Sequence, residues 1–423
     1  MLSKSRLFAG IGLTAISIAV TQSSFAQTET GFYLKPNDRV VFYGDSITDQ
    51  RLYTTFVETY VVTRFPNYKV QFTHSGWGGD RVTGGGGGPI DLRLKRDVFA
   101  YKPTVMTSML GMNDGSYRAF DQGIFDTYAK GYEHIVQSVK ATLPGIRITL
   151  IQPSPYDDVT RKPNFEGGYN AVLLKYSDFL KDLAGRNSLD IADLNTSVVK
   201  ALEKANETDP TGAAKIVADR VHPGAGGHLL MAAALLKAWR APSLVANLEI
   251  DAVGRKVTKA ENTAVSQVQL GAKLNWTQND ACLPMPFDMT DPALALSVRS
   301  SNITDELDRE MLTVKGLTSG NYALKIDGEK IGSFTAEALG RGINLALYNT
   351  PMKKQAMAVH ALTLKHNQLH FIRWRTVQVP YEKDNLPSMN QTLAGMDKID
   401  DDVVKMQREM ARPKGRAYEI SPE

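Results

Sequence analysis

Val40-Val41-Phe42-Tyr43-Gly44-Asp45-Ser46-Ile47-Thr48 is an apolar run that breaks on a glycine and an acid and leaves a hydroxyl residue behind the break. A short apolar run bounded by a turn signal is the pattern of a strand buried on both faces. The glycine permits a sharp turn. Ser46 therefore emerges at the carboxyl end of the strand, where open parallel sheets hold their ligands. Taken singly, Gly-Asp-Ser is also an ordinary turn sequence in which Ser46 would cap the next helix.

The same alternation continues on both sides. Short apolar runs at Val70–Thr73, Thr104–Leu110, Ile146–Ile151 and Leu189–Ile191 are separated by amphipathic segments at Ile124–Thr142, Tyr169–Leu183 and Gly227–Trp239. In the first of these helices Tyr128, Tyr132, Ile135, Val136 and Val139 share one stripe. Residues 34–245 thus predict an α/β domain, a parallel sheet covered by helices. Beyond residue 246 the character changes. Met311–Lys315, Tyr322–Ile326 with Asp327-Gly328 after it, and Leu369–Trp374 read as strands of a smaller β-rich domain over residues 250–385. Gly342–His360 breaks that alternation, with a helix around Pro351–His360. Met396, Ile399, Val403, Met406 and Met410 follow 3-4-3-4 spacing and predict an amphipathic helix over 396–411, packed on its own domain, within a C-terminal helical segment and tail (386–423).

At the amino end, Lys4 and Arg6 precede an uncharged stretch from Leu7 to Val20, and Ser24-Phe25-Ala26 offers a small-x-small cleavage pattern. Residues 1–26 read as an export signal cut after Ala26, since the apolar run is shorter than the roughly 20 residues that cross a bilayer. The expectation is a periplasmic or secreted protein with no stable membrane anchor. The 49 Lys+Arg and 45 Asp+Glu come near parity once Lys4 and Arg6 are removed, which gives no reason to invoke nucleic acid. A single cysteine, Cys282, leaves no internal disulfide. The core alone must hold the fold.

A serine hydroxyl needs a base to become a nucleophile. Asp219-Arg220-Val221-His222-Pro223 supplies a pair in which the carboxylate holds one ring nitrogen and leaves the other for Ser46. Acyl transfer also needs donors aimed at the developing oxyanion. Ser75-Gly76-Trp77-Gly78-Gly79-Asp80 and Gly111-Met112-Asn113-Asp114 each follow a strand and can offer a backbone N–H and a side-chain amide.

These four blocks, in this order, resemble the SGNH (GDSL-type) hydrolase family. The resemblance spans residues 44–223 and implies a three-layer α/β/α fold with a flavodoxin-like sheet. It implies Ser46 as nucleophile, Asp219 and His222 as acid and base, and an oxyanion hole of Ser46, Gly79 and Asn113, with no cofactor and no metal. Two departures stand out: Ile47 replaces the family's leucine, and His74-Ser75 stands where many members have an asparagine. The second leaves the hydrogen bonding of the second loop open. Trp77, Tyr117, Tyr156 and Tyr169 near the predicted face read as core aromatics or as a stacking platform for a sugar. The glycine run Gly84–Gly88 reads as a flexible rim, because no Gly-Lys-Ser/Thr of a phosphate loop follows. Exported relatives with an added β-rich domain are often carbohydrate esterases, so the resemblance implies removal of O-acetyl groups from an acylated small molecule or polysaccharide. Lysophospholipase, lipase or thioesterase activity is the alternative, and a non-catalytic carbohydrate-binding protein a lesser one.

Overall fold

The computed structural model describes residues 31–423; the expected export signal over residues 1–26 lies outside the described residues. Strands β1 (Arg39–Gly44), β2 (Gln71–Gly76), β3 (Val105–Met109), β4 (Arg147–Ile151) and β5 (Asp190–Ala192) form one sheet in the order β2-β1-β3-β4-β5. All four pairings are parallel. Each strand falls on one of the apolar runs, with β2 extending to Gly76. Strand β3 is buried throughout and β1 is buried from Val40 onward, so both faces of the sheet must be covered. Helices Leu52–Arg64 and Ala225–Ala238 pack together, and Gln122–Thr142 packs with Gly168–Asn187, giving the three layers. Gly44 closes β1 where only glycine fits: a Cβ would strike the Thr48 side chain and lie 2.7 Å from the Met109 carbonyl.

The second unit begins with strand Leu244–Asp251, which pairs in parallel with Arg309–Lys315 and antiparallel with Lys256–Glu261. Next to it stands a five-stranded antiparallel sheet. Its central strand is Arg416–Pro422, held between Leu274–Asp280 and Asn321–Ile326. The end of the chain is therefore a sheet core element, not the tail expected from the sequence. Leu324, Ile326, Trp276, Tyr418 and Ile420 form its buried cluster.

Two further expectations are corrected. Leu369–Trp374 is not a strand, because helix Pro351–Phe371, capped by Thr350, runs on into a π-helical stretch Ile372–Gln378. Val359, Thr363, His366, His370 and Trp374 are buried at a period of three to four, which carries the helical stripe through the short run that read as alternating. The C-terminal helix, Met389–Met410, also does not pack on the β-rich sheets with its methionine stripe. Ile399 is 53%, Met406 55% and Met410 37% exposed, while Asp400 and Gln407 turn inward. They do so because the surface they cover is polar.

That surface joins the two units. Glu58 of helix Leu52–Arg64 lies 3.1 Å from His74 Nε2 on β2 and 3.7 Å from His366 Nε2. Gln407 donates to Glu58 at 3.0 Å and to Thr363 at 2.7 Å, and His366 Nδ1 lies 2.7 Å from Asp400. Burial pulls the His366 pKa down, but the Glu58 and Asp400 carboxylates outweigh it and raise it to about 9. The folded chain thus holds this proton more tightly than an unfolded one, whose histidines titrate near ~6.5. The stabilisation is complete below that pH and is lost as pH rises through about 9. The melting temperature of Asp400→Asn should accordingly fall less steeply than wild type as buffers are raised from about pH 6.5 to 9.5. Equal slopes in a thermal-shift series would show that Asp400 does not help hold the proton on His366.

Candidate active site

Where β1 ends, the Asp45 side chain accepts the Ile47 N–H at 3.0 Å and caps the helical turn Ser46–Asp49. Ser46 is thereby relieved of the capping role, and its hydroxyl meets a different partner. Ser46 Oγ lies 2.8 Å from His222 Nε2, and His222 Nδ1 lies 2.7 Å from Asp219 Oδ2. The second oxygen of Asp219 accepts the backbone N–H groups of His222 (2.6 Å) and Val221 (2.9 Å). Burial raises the Asp219 pKa, but the bonds from His222 and Val221 together outweigh it and hold the carboxyl below its usual range, ionised to orient the imidazole. Arg220, at φ 74°, makes the turn that presents the pair; its guanidinium bonds Asp158 at 2.7 Å and lies over the Tyr156 ring.

Below this line sits His228, whose Nδ1 accepts the Tyr53 N–H at 3.2 Å. Nε2 therefore carries the proton and donates to Gln50 at 2.9 Å. Burial, with the His222 charge, lowers its pKa to about 3. It remains neutral next to the imidazole that must gain a proton. Asp45 is fully enclosed, and burial pushes its carboxyl up to about 7 against the hydrogen bond from Ile47.

The second and third blocks meet beside Ser46's helical turn. Gly79 adopts φ 78°, a conformation L side chains rarely take, and a Cβ there would meet nothing within 4 Å, so this backbone borders open space. The preceding Gly78 N–H donates to Asp49 Oδ2 at 3.2 Å. Asn113 Nδ2 donates to the Asp80 carbonyl at 3.0 Å, and Tyr117 Oη donates to Asn113 Oδ1 at 2.9 Å. The two bonds fix which end of the amide is which and leave its second N–H available. The structure thus brings Ser46, His222, Asp219, Asn113 and the Gly79 loop to the carboxyl edge of β1, β2 and β3.

Without the family's asparagine, the second loop is held by other means. Ser75 Oγ donates to the Asp97 carbonyl at 2.7 Å, and His74 turns to Thr54 and Glu58. The loop's main anchor is Arg93, wholly buried, which bonds Asp80 at 2.7 Å, Ser75 O at 2.8 Å and Asp97. Sequence reading missed Arg93, Asp97 and the helix-borne Trp374 and Arg375 that join them. Only burial, which single residue types do not announce, marks them out. The glycine rim is a two-rung hairpin, Gly84–Gly85 against Gly88–Pro89, tied to Arg96 through the Gly87 carbonyl at 2.9 Å. Of the four aromatics, Tyr156 and Tyr169 are core residues, the latter donating to Met112 O at 2.6 Å. Tyr117 is 42% exposed. Among the described residues, no group of three or more His, Cys, Asp or Glu is placed to hold a metal ion.

Residues 42–230 match the model of the GDSL-like lipase/acylhydrolase family. The chain carries an SGNH/GDSL hydrolase domain. The solved structure of BT4096, a gut microbial diltiazem-metabolizing enzyme, superimposes on this SGNH hydrolase with a TM-score of 0.79 at 26% identity, covering 93% of this chain and 100% of that one. That likeness runs on through the second unit. The acetylxylan esterase of Geobacillus stearothermophilus is 24% identical over 220 residues, 47% of this chain and 93% of that protein. This domain is that of an SGNH carboxylic ester hydrolase.

Because Tyr117 orients Asn113 through one hydrogen bond, Tyr117→Phe should lower kcat on a small acyl ester by roughly fivefold, the equivalent of about 1 kcal/mol, with KM little changed. Steady-state kinetics at saturating ester checks this, and an unchanged kcat would remove Tyr117 from the site.

Proposed function

We propose that this SGNH hydrolase is an exported serine esterase that removes O-acetyl groups from carbohydrate through an acyl-enzyme on Ser46. The observation that carries the catalytic part is the unbroken line from Asp219 Oδ2 to His222 Nδ1 at 2.7 Å and from His222 Nε2 to Ser46 Oγ at 2.8 Å. His222 takes the hydroxyl proton as Ser46 attacks the ester carbon, and the carbonyl oxygen becomes the oxyanion. The N–H groups of Ser46 and Gly79 and the second N–H of Asn113 receive that charge. Collapse breaks the ester C–O bond, and His222 returns the proton to the leaving alcohol. The same imidazole then deprotonates water, which attacks the acyl carbon and releases the acid and Ser46. Asp219 stays ionised throughout.

The acetyl and carbohydrate part is supported by the acetylxylan esterase relative. Export is supported by Lys4, Arg6, Leu7–Val20 and the Ser24-Phe25-Ala26 cleavage pattern. A second reading, a small-molecule ester as substrate, is favoured by the whole-chain likeness to the diltiazem-metabolizing enzyme. Diltiazem is itself an O-acetyl ester, so the two readings share their bond and differ in the alcohol.

Acetate release should be followed from acetylated xylan and from diltiazem, with Ser46→Ala alongside. Wild type is expected to release acetate, and Ser46→Ala to lose about 10⁴-fold or more of that rate while remaining folded. Release from xylan supports the carbohydrate, and release from diltiazem alone the small molecule. Cleavage confined to long acyl chains would move the substrate to lysophospholipids or thioesters. Normal turnover by folded Ser46→Ala would overturn the mechanism, and binding without turnover by wild type would leave a carbohydrate-binding protein.

A further inference from the structure

The π-helical stretch Ile372–Gln378 lies some 150 residues beyond the last SGNH block, yet it reaches the second and third loops by two routes. The first runs through Trp374, which is 1% exposed and donates from Nε1 to Asp97 Oδ1 at 2.6 Å. Asp97 binds Arg93, Arg93 binds Asp80, and the Asp80 carbonyl is the acceptor that orients Asn113. The second runs through Arg375. Its guanidinium lies 3.4 Å over the Trp77 ring, and Nη1 is 3.4 Å from both oxygens of Asp49 and from the Gly76 carbonyl. Asp49 receives the Gly78 N–H and belongs to the helical turn that begins with Ser46. The first route ends at Asn113, and the second ends at Gly78, one residue before Gly79. π-Helical insertions inside α-helices recur at functional sites.

Resting on the serine-esterase reading above, we infer that Trp374 and Arg375 are positioning residues: the C-terminal unit sets the oxyanion hole of the catalytic domain by clamping the Gly78–Gly79 loop against Asp49 and the Asp80 carbonyl against Asn113. The consequences for rate and for stability separate. Arg375 keeps 18% of its side chain exposed and its contacts with Asp49 are long, so its loss should cost less stability than loss of the wholly buried Arg93. A displaced donor is felt strongly, because misplacement by about 1 Å can cost 10²-fold in rate.

The test uses the full chain and p-nitrophenyl acetate, with kcat, KM and the inhibition constant of an alkylboronic acid, which forms a tetrahedral adduct on the serine. Arg375→Ala should lower kcat by about 10- to 100-fold, leave KM within about twofold and weaken the boronic acid by the same factor as kcat/KM. Arg375→Lys, which keeps a charge for Asp49 without the planar stacking, should recover part of the loss. Trp374→Phe, keeping the ring and removing the donor to Asp97, should show the same pattern and serves if Arg375→Ala does not fold. The inference is overturned if folded Arg375→Ala and Trp374→Phe both keep kcat within about twofold of wild type, or if kcat falls without weaker boronic acid binding. Ser46→Ala in the same series separates the two readings. If it turns over normally the catalytic assignment has failed, whereas inactive Ser46→Ala with wild-type rates in both positioning variants rejects the positioning role alone.

Discussion

One guanidinium, that of Arg93, touches the nucleophile strand, the second loop and the C-terminal unit at once. It has no exposed surface, bonds two carboxylates and a backbone carbonyl, and lies against the rings of Tyr43, Trp77 and Trp374. Taking such a charge out of water costs several kcal/mol, and only partners on every side offset it. Removing one member of a buried pair typically costs about 3–5 kcal/mol, because the remaining charge is left uncompensated. The arrangement therefore tolerates no partial occupancy: the nucleophile strand, the second loop and the π-helical stretch Ile372–Gln378 must be in place together.

This explains why the catalytic half was legible and the rest was not. The strands of the parallel sheet are continuous apolar runs because both faces are buried, and each functional block sits where such a run stops. Gly44, Asp45 and Ser46 could be read from five letters because strand end, turn and nucleophile are neighbours in the chain. The anchor of the second loop could not. Trp374 meets Asp97 across 277 residues, and Arg375 meets Asp49 across 326. Local periodicity carries no trace of such pairings.

The errors in the second unit have the same origin. The six residues at Leu369–Trp374 are too few to tell a strand from a helix by spacing, and the structure resolves them through the stripe begun at Val359. The Met396–Met410 spacing did mark a helix. It misled about the buried face, because the surface under that helix is ionic and selects Asp400 and Gln407 over Ile399 and Met406. An amphipathic pattern says which residues share a side; the neighbour decides which side goes in.

The central strand of the antiparallel sheet, Arg416–Pro422, is made after both of its neighbours. Without those residues, Leu274–Asp280 and Asn321–Ile326 would each lack a partner along one edge. Such edges invite pairing with other chains. A chain stopped short of residue 416 would leave both of those strands without their shared partner. The integrity of this sheet thus rests on a strand that is far in sequence from both of its neighbours.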